Sequence, residues 1–305
     1  MNPKIEQLIN NIEKVILGKR IVIEKIVCAM LAEGHVLIED VPGVGKTLLA
    51  QTLAKSVSGS FRRIQFTPDL MPSDVIGYTA IDMNTGKSEY REGAAMCNFL
   101  LADEINRTSP KVQSALLEAM EEKQISVDGV THQLPVPFMT LATQNPIETY
   151  GTYHLPEAQL DRFLMRVSIG YPDRAAEMLM LDNMPQNSEV SAVMSLDELM
   201  ALREEAKQIA VAANIKAYIL SIVNATRSNN QLVKLGASPR ASIALYKAAQ
   251  AMALMNGRGF VTPDDVKSVA VSVLSHRVIL AAGQQQFATP AQLIGKILED
   301  IAVPV

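Results

Sequence analysis

A chain of 305 residues, of which 48% are hydrophobic and 20% charged, has the composition of an ordinary globular protein and the length for about two domains. Its net charge of -4 excludes a protein that coats nucleic acid by bulk charge, though not one with a local basic patch. The two cysteines, Cys28 and Cys97, exclude a disulfide framework and lack metal-ligand spacing, so both read as buried thiols. Residues 1–14 carry charge throughout and have no apolar stretch of the signal-peptide kind. The most apolar segments, 21–38 and 266–282, are broken by Glu24, Lys25 and Glu33 and by Lys267, His276 and Arg277. No membrane span is predicted, and a cytoplasmic location is expected. The histidines His35, His132, His154 and His276 are too scattered for a metal site.

Residues 5–32 predict two helices parted at Gly18, one with Ile5, Leu8, Ile9 and Ile12 on its apolar face, the other with Ile23, Ile26, Val27 and Met30. The break Val15-Ile16-Leu17-Gly18 fits either a platform under an adenine ring, with Ile16 and Gly18 in contact, or a turn packed between helices. The apolar run Val36-Leu37-Ile38 then enters Pro42-Gly43-Val44-Gly45-Lys46-Thr47-Leu48. A strand, a glycine-rich turn, then a lysine and a hydroxyl residue opening a helix bring backbone N–H groups to bear on an anion. Lys46 would reach the β- and γ-phosphates of a nucleotide and Thr47 would ligate Mg²⁺. A bare turn does not require Lys-Thr directly after its second glycine. The full pattern has glycine where this chain has Asp40.

Leu49, Leu53 and Val57 continue that helix until Gly59 stops it, and residues 61–66 form a strand. From 68 to 93 the pattern turns irregular, with a turn signal at Asn84-Thr85-Gly86, and predicts an inserted hairpin or helix-hairpin. Phe99-Leu100-Leu101-Ala102-Asp103-Glu104 reads as a buried parallel strand whose end carries two carboxylates to the ligand crevice. Alone it fits a solvated acidic turn as well; roughly 55 residues after a phosphate loop, it puts Asp103 on the metal through water and Glu104 on the attacking water.

Ser109-Pro110 starts a helix, and Asp128-Gly129 closes a tight hairpin between 124–127 and 130–134. Residues 138–143 predict another buried strand that ends in Gln144-Asn145-Pro146, where Asn145 reads as a water-orienting amide or as part of an Asn-Pro turn. A short helix holds Glu157, Asp161 and Arg162, residues 165–169 form a last strand, and Gly170-Tyr171-Pro172 marks a boundary. Beyond it the pattern is helical to the end, with a capping box at Ser195 and helix starts at Ser238-Pro239 and Thr262-Pro263. The expected fold is α/β: a nucleotide-binding domain over 1–172, its parallel five-stranded sheet flanked by helices, then an α-helical lid over 173–305. Arg162 alone reads as a surface ion pair with Asp161 or Glu157. Arg240 stands in the first turn of a helix, where the macrodipole disfavours a cation unless an anion is near.

In order and spacing these motifs resemble those of the P-loop AAA+ ATPases, and within them the MoxR group, relatives of the magnesium-chelatase ATPase subunit and of replicative helicases. The resemblance runs through nearly the whole chain. It rests on Glu39-Asp40-Val41-Pro42-Gly43-Val44-Gly45-Lys46-Thr47, on Leu101-Ala102-Asp103-Glu104-Ile105-Asn106-Arg107 and on Ala142-Thr143-Gln144-Asn145-Pro146. It extends to Leu155-Pro156-Glu157-Ala158-Gln159-Leu160-Asp161-Arg162-Phe163 and to Gly236-Ala237-Ser238-Pro239-Arg240. It implies ATP and Mg²⁺ as ligands, an insertion over about 73–93 and a pre-sensor hairpin over about 124–134. It implies Asn145 as the sensor that positions water, Arg162 as the finger inserted into a neighbour's site, and Arg240 as the lid residue on the γ-phosphate. It further implies a ring of copies, most often a hexamer, a lid that swings with nucleotide state, and chaperone-like work on a client protein with a von Willebrand factor A domain partner.

The expected activity is therefore ATP hydrolysis at subunit interfaces. A nucleic-acid motor ranks below it, because the hairpin tip Asp128-Gly129-Val130 carries no basic side chain. A nucleotide-gated scaffold without turnover also ranks below, because Glu104 gives such a scaffold a water-activating carboxylate it does not need.

Overall fold

The computed structural model describes residues 1–81, 83, 86–146, 152–182, 190–229 and 231–304; the turn expected at Asn84-Thr85 lies outside them. Helices α1 (Pro3–Glu13) and α2 (Arg20–Leu31) precede β1 (Val36–Glu39), α3 (Lys46–Ser56) and β2 (Phe61–Gln65). A short α4 (Pro72–Ile76) leads into the hairpin of β3 (Tyr78–Ile81) and β4 (Ser88–Arg91), so the irregular segment is a helix followed by a hairpin. Next come β5 (Phe99–Asp103), α5 (Pro110–Glu122), the hairpin of β6 (Gln124–Val127) and β7 (Val130–Gln133), then β8 (Met139–Gln144), α6 (Glu157–Leu160) and β9 (Met165–Val167). The remainder holds α7 (Arg174–Asp182), α8 (Leu196–Gln208), α9 (Ala213–Ala225), β10 (Val233–Leu235), α10 (Pro239–Met255), α11 (Pro263–Leu274), β11 (Ile279–Leu280) and α12 (Pro290–Asp300).

Strands β2, β5, β8, β1 and β9 pair in that order, all parallel, into a five-stranded sheet. The inner strands β5, β8 and β1 are covered on both faces, which is why they read as nearly unbroken apolar runs, while the edge strands β2 and β9 carry Arg62, Arg63, Gln65 and Arg166. Val36, Ile38, Phe99, Leu101, Met139 and Leu141 point into one core, while Leu37, Leu100 and Ala102 point into the other. The first core runs on through α1, α2 and α3 into helices α8 to α12. The second lies under α4 and α5. The C-terminal helices are thus seated on α2, where the Arg203 guanidinium donates to the Met30 carbonyl at 2.9 Å. Among the described residues no helix is long and apolar enough to cross a membrane.

Two details depart from the sequence reading. The C-terminal region is not helical throughout: β10 and β11 form an antiparallel ribbon with Val233 opposite Leu280 and Leu235 opposite Ile279. The helical period lapses there, and Gly236 ends the ribbon where an added Cβ would lie 2.5 Å from the Thr226 carbonyl oxygen. At the end of α3 it is Ser58, with φ +55°, that takes the left-handed turn. Gly59 is needed for room instead, because a Cβ there would fall 2.5 Å from the Phe99 ring. The Asp128-Gly129 turn has φ of +50° and +80°, the pair that a tight hairpin requires. The two hairpins meet where Tyr90 stacks on His132, centroids 3.8 Å apart.

His35 ties three elements together at the start of β1. Its Nδ1 accepts from the Thr140 backbone N–H at 2.9 Å, so the proton sits on Nε2 and is donated to the Met120 carbonyl at 3.1 Å. Burial pushes its pKa down from 6.5 to about 4 against the Met120 bond, with Lys123 and Arg203 adding to the fall. The folded pKa lies below the unfolded one, so the stability from neutral His35 is complete above pH 6.5 and is lost as pH falls through 4. That loss amounts to roughly 3 kcal/mol. Urea unfolding at pH 7.5 and 4.5 should therefore show a smaller acid loss in His35→Gln than in the parent. Gly59→Ala should cost about 1–3 kcal/mol at either pH through overpacking against Phe99.

Candidate nucleotide site

The loop between β1 and α3 is built for an anion. Gly43 and Gly45 hold φ of +84° and +86°, which a side chain would strain, and α3 starts at Lys46 with Gly45 as its N-cap. Pro42, Gly43 and Leu48 are exposed, while Val44, Gly45, Lys46 and Thr47 are half-buried along the loop and the first helical turn. Lys46 Nζ folds back to the Asp40 carbonyl at 2.8 Å, which holds the ammonium over the loop.

Asp40, in the position where the motif has glycine, is an anchor. Its Oδ2 accepts from the backbone N–H groups of Ile169 and Gly170 at 2.6 Å each and from the Ser168 hydroxyl at 3.0 Å, and its Oδ1 from the Val41 N–H at 2.9 Å. Burial raises the pKa of such a carboxyl, but here the four hydrogen bonds outweigh it and hold Asp40 below its ordinary value, hence ionised. The start of the phosphate loop is fastened in this way to the chain leaving β9.

The acidic pair arrives from two strands away. β8 lies between β1 and β5, with Gln144 opposite Glu39 and Ala142 opposite Ala102, so the ends of β1 and β5 stand about 10 Å apart. Thr143, on the strand between them, ties the acidic pair in place: its hydroxyl donates to Asp103 Oδ1 at 2.6 Å and accepts from the Glu104 N–H at 2.8 Å. Glu104 itself sits in the left-handed region, φ +58°, a conformation that costs a non-glycine residue of order 1 kcal/mol or more. Its carboxylate accepts from Gln65 Nε2 at 2.6 Å and lies 3.3 Å from Arg107 Nε, while Asp103 Oδ2 accepts from Arg63 at 2.7 Å. Asn145 is buried directly after β8. The hard oxygens of Thr47 and Asp103 suit Mg²⁺, and a cation held by so few protein ligands takes the rest from phosphate and water.

Arg162 and Arg240 are elsewhere. Arg162 Nε reaches Glu121 Oε2 at 3.2 Å and Arg240 Nη2 pairs with Glu121 Oε1, so both arginines share one carboxylate in the last turn of α5. They line a cavity of about 310 Å³ with Gly34 and His35, the residues just before β1. The phosphate loop follows the opposite end of that strand, about 13 Å away along four residues. The partner expected of Arg162 is thus corrected: it is Glu121, because Asp161 is taken by Arg277 and Ser238. The anion expected near the start of the Arg240 helix is Glu121 as well.

In the segment before the loop, Ile16 is buried in the main core at the turn between α1 and α2. Gly18, with φ +69°, is exposed and backs onto Ala176 of α7, where a Cβ would come within 3.2 Å. Residues that the sequence reading passed over include Arg63, Gln65, Glu121 and Arg277. Arg63 and Gln65 carry a signal: polar side chains two apart on β2, flanking buried Ile64, in register with Leu101 and Asp103. Glu121 and Arg277 carry none, because their partners come from distant parts of the chain.

The comparisons with known proteins agree with this geometry. Residues 35–165 match the ATPase family associated with various cellular activities, and residues 225–300 match the AAA lid domain. The chain is 46% identical to the uncharacterized protein YeaC of Bacillus subtilis over 309 residues, 100% of this chain and 96% of that protein. It is 41% identical to the chaperone MoxR1 of Mycobacterium tuberculosis, over 98% of this chain and 82% of the relative. A crystal structure of a candidate ATPase from Cytophaga hutchinsonii superposes with a TM-score of 0.91 at 40% identity, covering 100% of this chain and 96% of that one. With its sheet, its phosphate loop and its lid accounted for, the chain belongs to the MoxR family of AAA ATPases.

Proposed function

We propose that this protein hydrolyses ATP to ADP and phosphate at interfaces between copies of itself and uses the cycle to remodel a client protein. The observation that carries this reading is the pairing of Arg162 and Arg240 on Glu121, at the end of the sheet away from the phosphate loop. Two arginines so placed are out of reach of their own Lys46 and Thr47 and suit the triphosphate of an adjoining subunit. A head-to-tail contact of that kind closes naturally into a ring, most often a hexamer in this family.

Lys46 and the loop N–H groups would hold the phosphates, and Thr47 and Asp103 would hold Mg²⁺, which when bound would supply charge neutralisation there. Glu104 takes a proton from the attacking water while Asn145 fixes that water in line; the γ-phosphoryl group passes to the water oxygen as its bond to ADP breaks. The arginines of the neighbour stabilise the charge that develops on the transferring group. Gln65 and Thr143 keep Glu104 and Asp103 in place. The chaperone name of the Mycobacterium tuberculosis relative supports a protein client, and a partner with a von Willebrand factor A domain is the class to look for in a cytoplasmic setting. The family likeness runs to nucleic-acid motors too, but no basic side chain at the β6–β7 tip favours that reading.

Steady-state ATPase assays under conditions where sedimentation finds the assembled ring provide the test. Glu104→Gln should lower kcat by at least about 10²-fold with nucleotide binding kept. Arg162→Ala should lower it by about 10³-fold only where the parent is assembled. Equal rates for the parent and either variant would sink the assignment. Thr143→Val, which removes the bridge between Asp103 and Glu104, should cost about tenfold in kcat while the unfolding midpoint moves little.

A further inference from the structure

Arg162 lies in a stretch without regular structure, residues 161–164, between α6 and β9. Turn hydrogen bonds shape it from one side, Arg162 N–H to the Gln159 carbonyl at 3.2 Å and Phe163 N–H to the Leu160 carbonyl at 3.1 Å. From the other side it is clamped by Arg277, from the turn between α11 and β11, whose side chain is only 2% exposed. All five of its N–H donors are used. Nε donates to Asp161 Oδ1 at 2.6 Å, Nη2 to the carbonyls of Asp161 and Phe163 at 3.1 and 2.7 Å, and Nη1 to the carbonyl of Leu164 at 3.1 Å and to that of Val273. Three of the carbonyls flank Arg162 on either side, so the clamp fixes the backbone around it while its half-buried side chain reaches Glu121. Asp161 Oδ2 accepts in addition from the Ser238 hydroxyl at 2.8 Å, and the same hydroxyl accepts from the Arg240 N–H at 3.1 Å. Through Asp161 one hydroxyl thus ties the base of α10, which carries Arg240, to the residue before Arg162.

We propose that Arg277 is the positioning residue of the arginine pair: with Asp161 and Ser238 it locks Arg162 and Arg240 into one unit, so that a subunit presents both to its neighbour together. The inference rests on the reading that these arginines act in trans. Arg277 touches no nucleotide in this account; it works on the next subunit's site through Arg162 and Arg240.

A mixing experiment separates this role from a general structural one. Glu104→Gln subunits keep an intact arginine pair but cannot turn over, so they serve as donors only. Arg277→Lys alone should lose on the order of 10²-fold in kcat, with KM for ATP little changed, because a displacement of about 1 Å is enough. Its activity per subunit should climb toward that of the parent as Glu104→Gln subunits are titrated in, since its own nucleotide site is sound. Ser238→Ala, which leaves the buried guanidinium untouched, keeps the proposal testable if Arg277→Lys fails to fold. It should lose activity a few-fold with the same rescue by donors, and Ser238→Thr should restore it. Arg162→Ala mixed with Glu104→Gln is the control. If that mixture regains activity while the Arg277→Lys and Ser238→Ala mixtures do not, or if both variants are fully active alone, the positioning role is overturned. If the Arg162→Ala mixture does not regain activity, the trans reading falls, and this proposal with it.

Discussion

The buried carboxylate of Asp40 is the constraint on which the site depends. A phosphate loop must be open at its mouth, with glycines at φ of +84° and +86° and few side chains to pack, so it cannot hold its own shape. Asp40 supplies the missing rigidity by accepting from Val41, Ser168, Ile169 and Gly170. An ionised carboxylate bonded to backbone N–H groups makes shorter and stronger links than a neutral pair, here down to 2.6 Å. Glycine at this position would free the loop from the end of β9. The departure from the usual motif is thus a second means of ordering the same turn.

The carboxylates across the crevice follow the same logic. Glu104 is kept in a left-handed conformation by the Thr143 hydroxyl on its N–H, and its side chain is tied to Gln65 and Arg107. Strain of this kind persists only where the surroundings over-determine it. Each tie comes from a different element, β8, β2 and the turn after β5, so the acidic end of β5 is set by the sheet rather than by its own sequence. The same holds for the arginines. Glu121 offers one oxygen to each of two cations, and so offsets both the mutual repulsion of Arg162 and Arg240 and the unfavourable position of Arg240 at the start of α10.

What could be read in the sequence was what depends on local spacing. The five strands, the two hairpins, the helix starts at Ser195 and Thr262 and the α/β order all follow from period, turn chemistry and caps, which are short-range. The phosphate loop and the Asp103-Glu104 pair were legible for the same reason. Glu121 and Arg277 were not, because an ordinary charged residue acquires meaning only from what folding brings to it: Glu121 meets Arg240 from 119 positions away and Arg277 meets Asp161 from 116. Ile16 shows the same limit of local reading, since an apolar side chain before a glycine turn is equally at home under a base or in a core, and it is the packing of α1 on α2 that buries it. The ribbon of β10 and β11 escaped because two- and three-residue strands have no periodicity to detect.

Strand β9 is tied down at both of its ends. Its leaving end is held by Asp40 of the subunit's own phosphate loop, and its entering end follows the residues that Arg277 grips. Only Met165, Arg166 and Val167 lie between as strand. The lid is joined to that entering end through Ser238, His276 and Arg277. A lid swing that parted them would leave a buried guanidinium with its donors unmet, at a cost of about 3–5 kcal/mol. Any rotation of the lid that kept these bonds would carry residues 161–164 with it, and Arg162 would move with Arg240 rather than away from it.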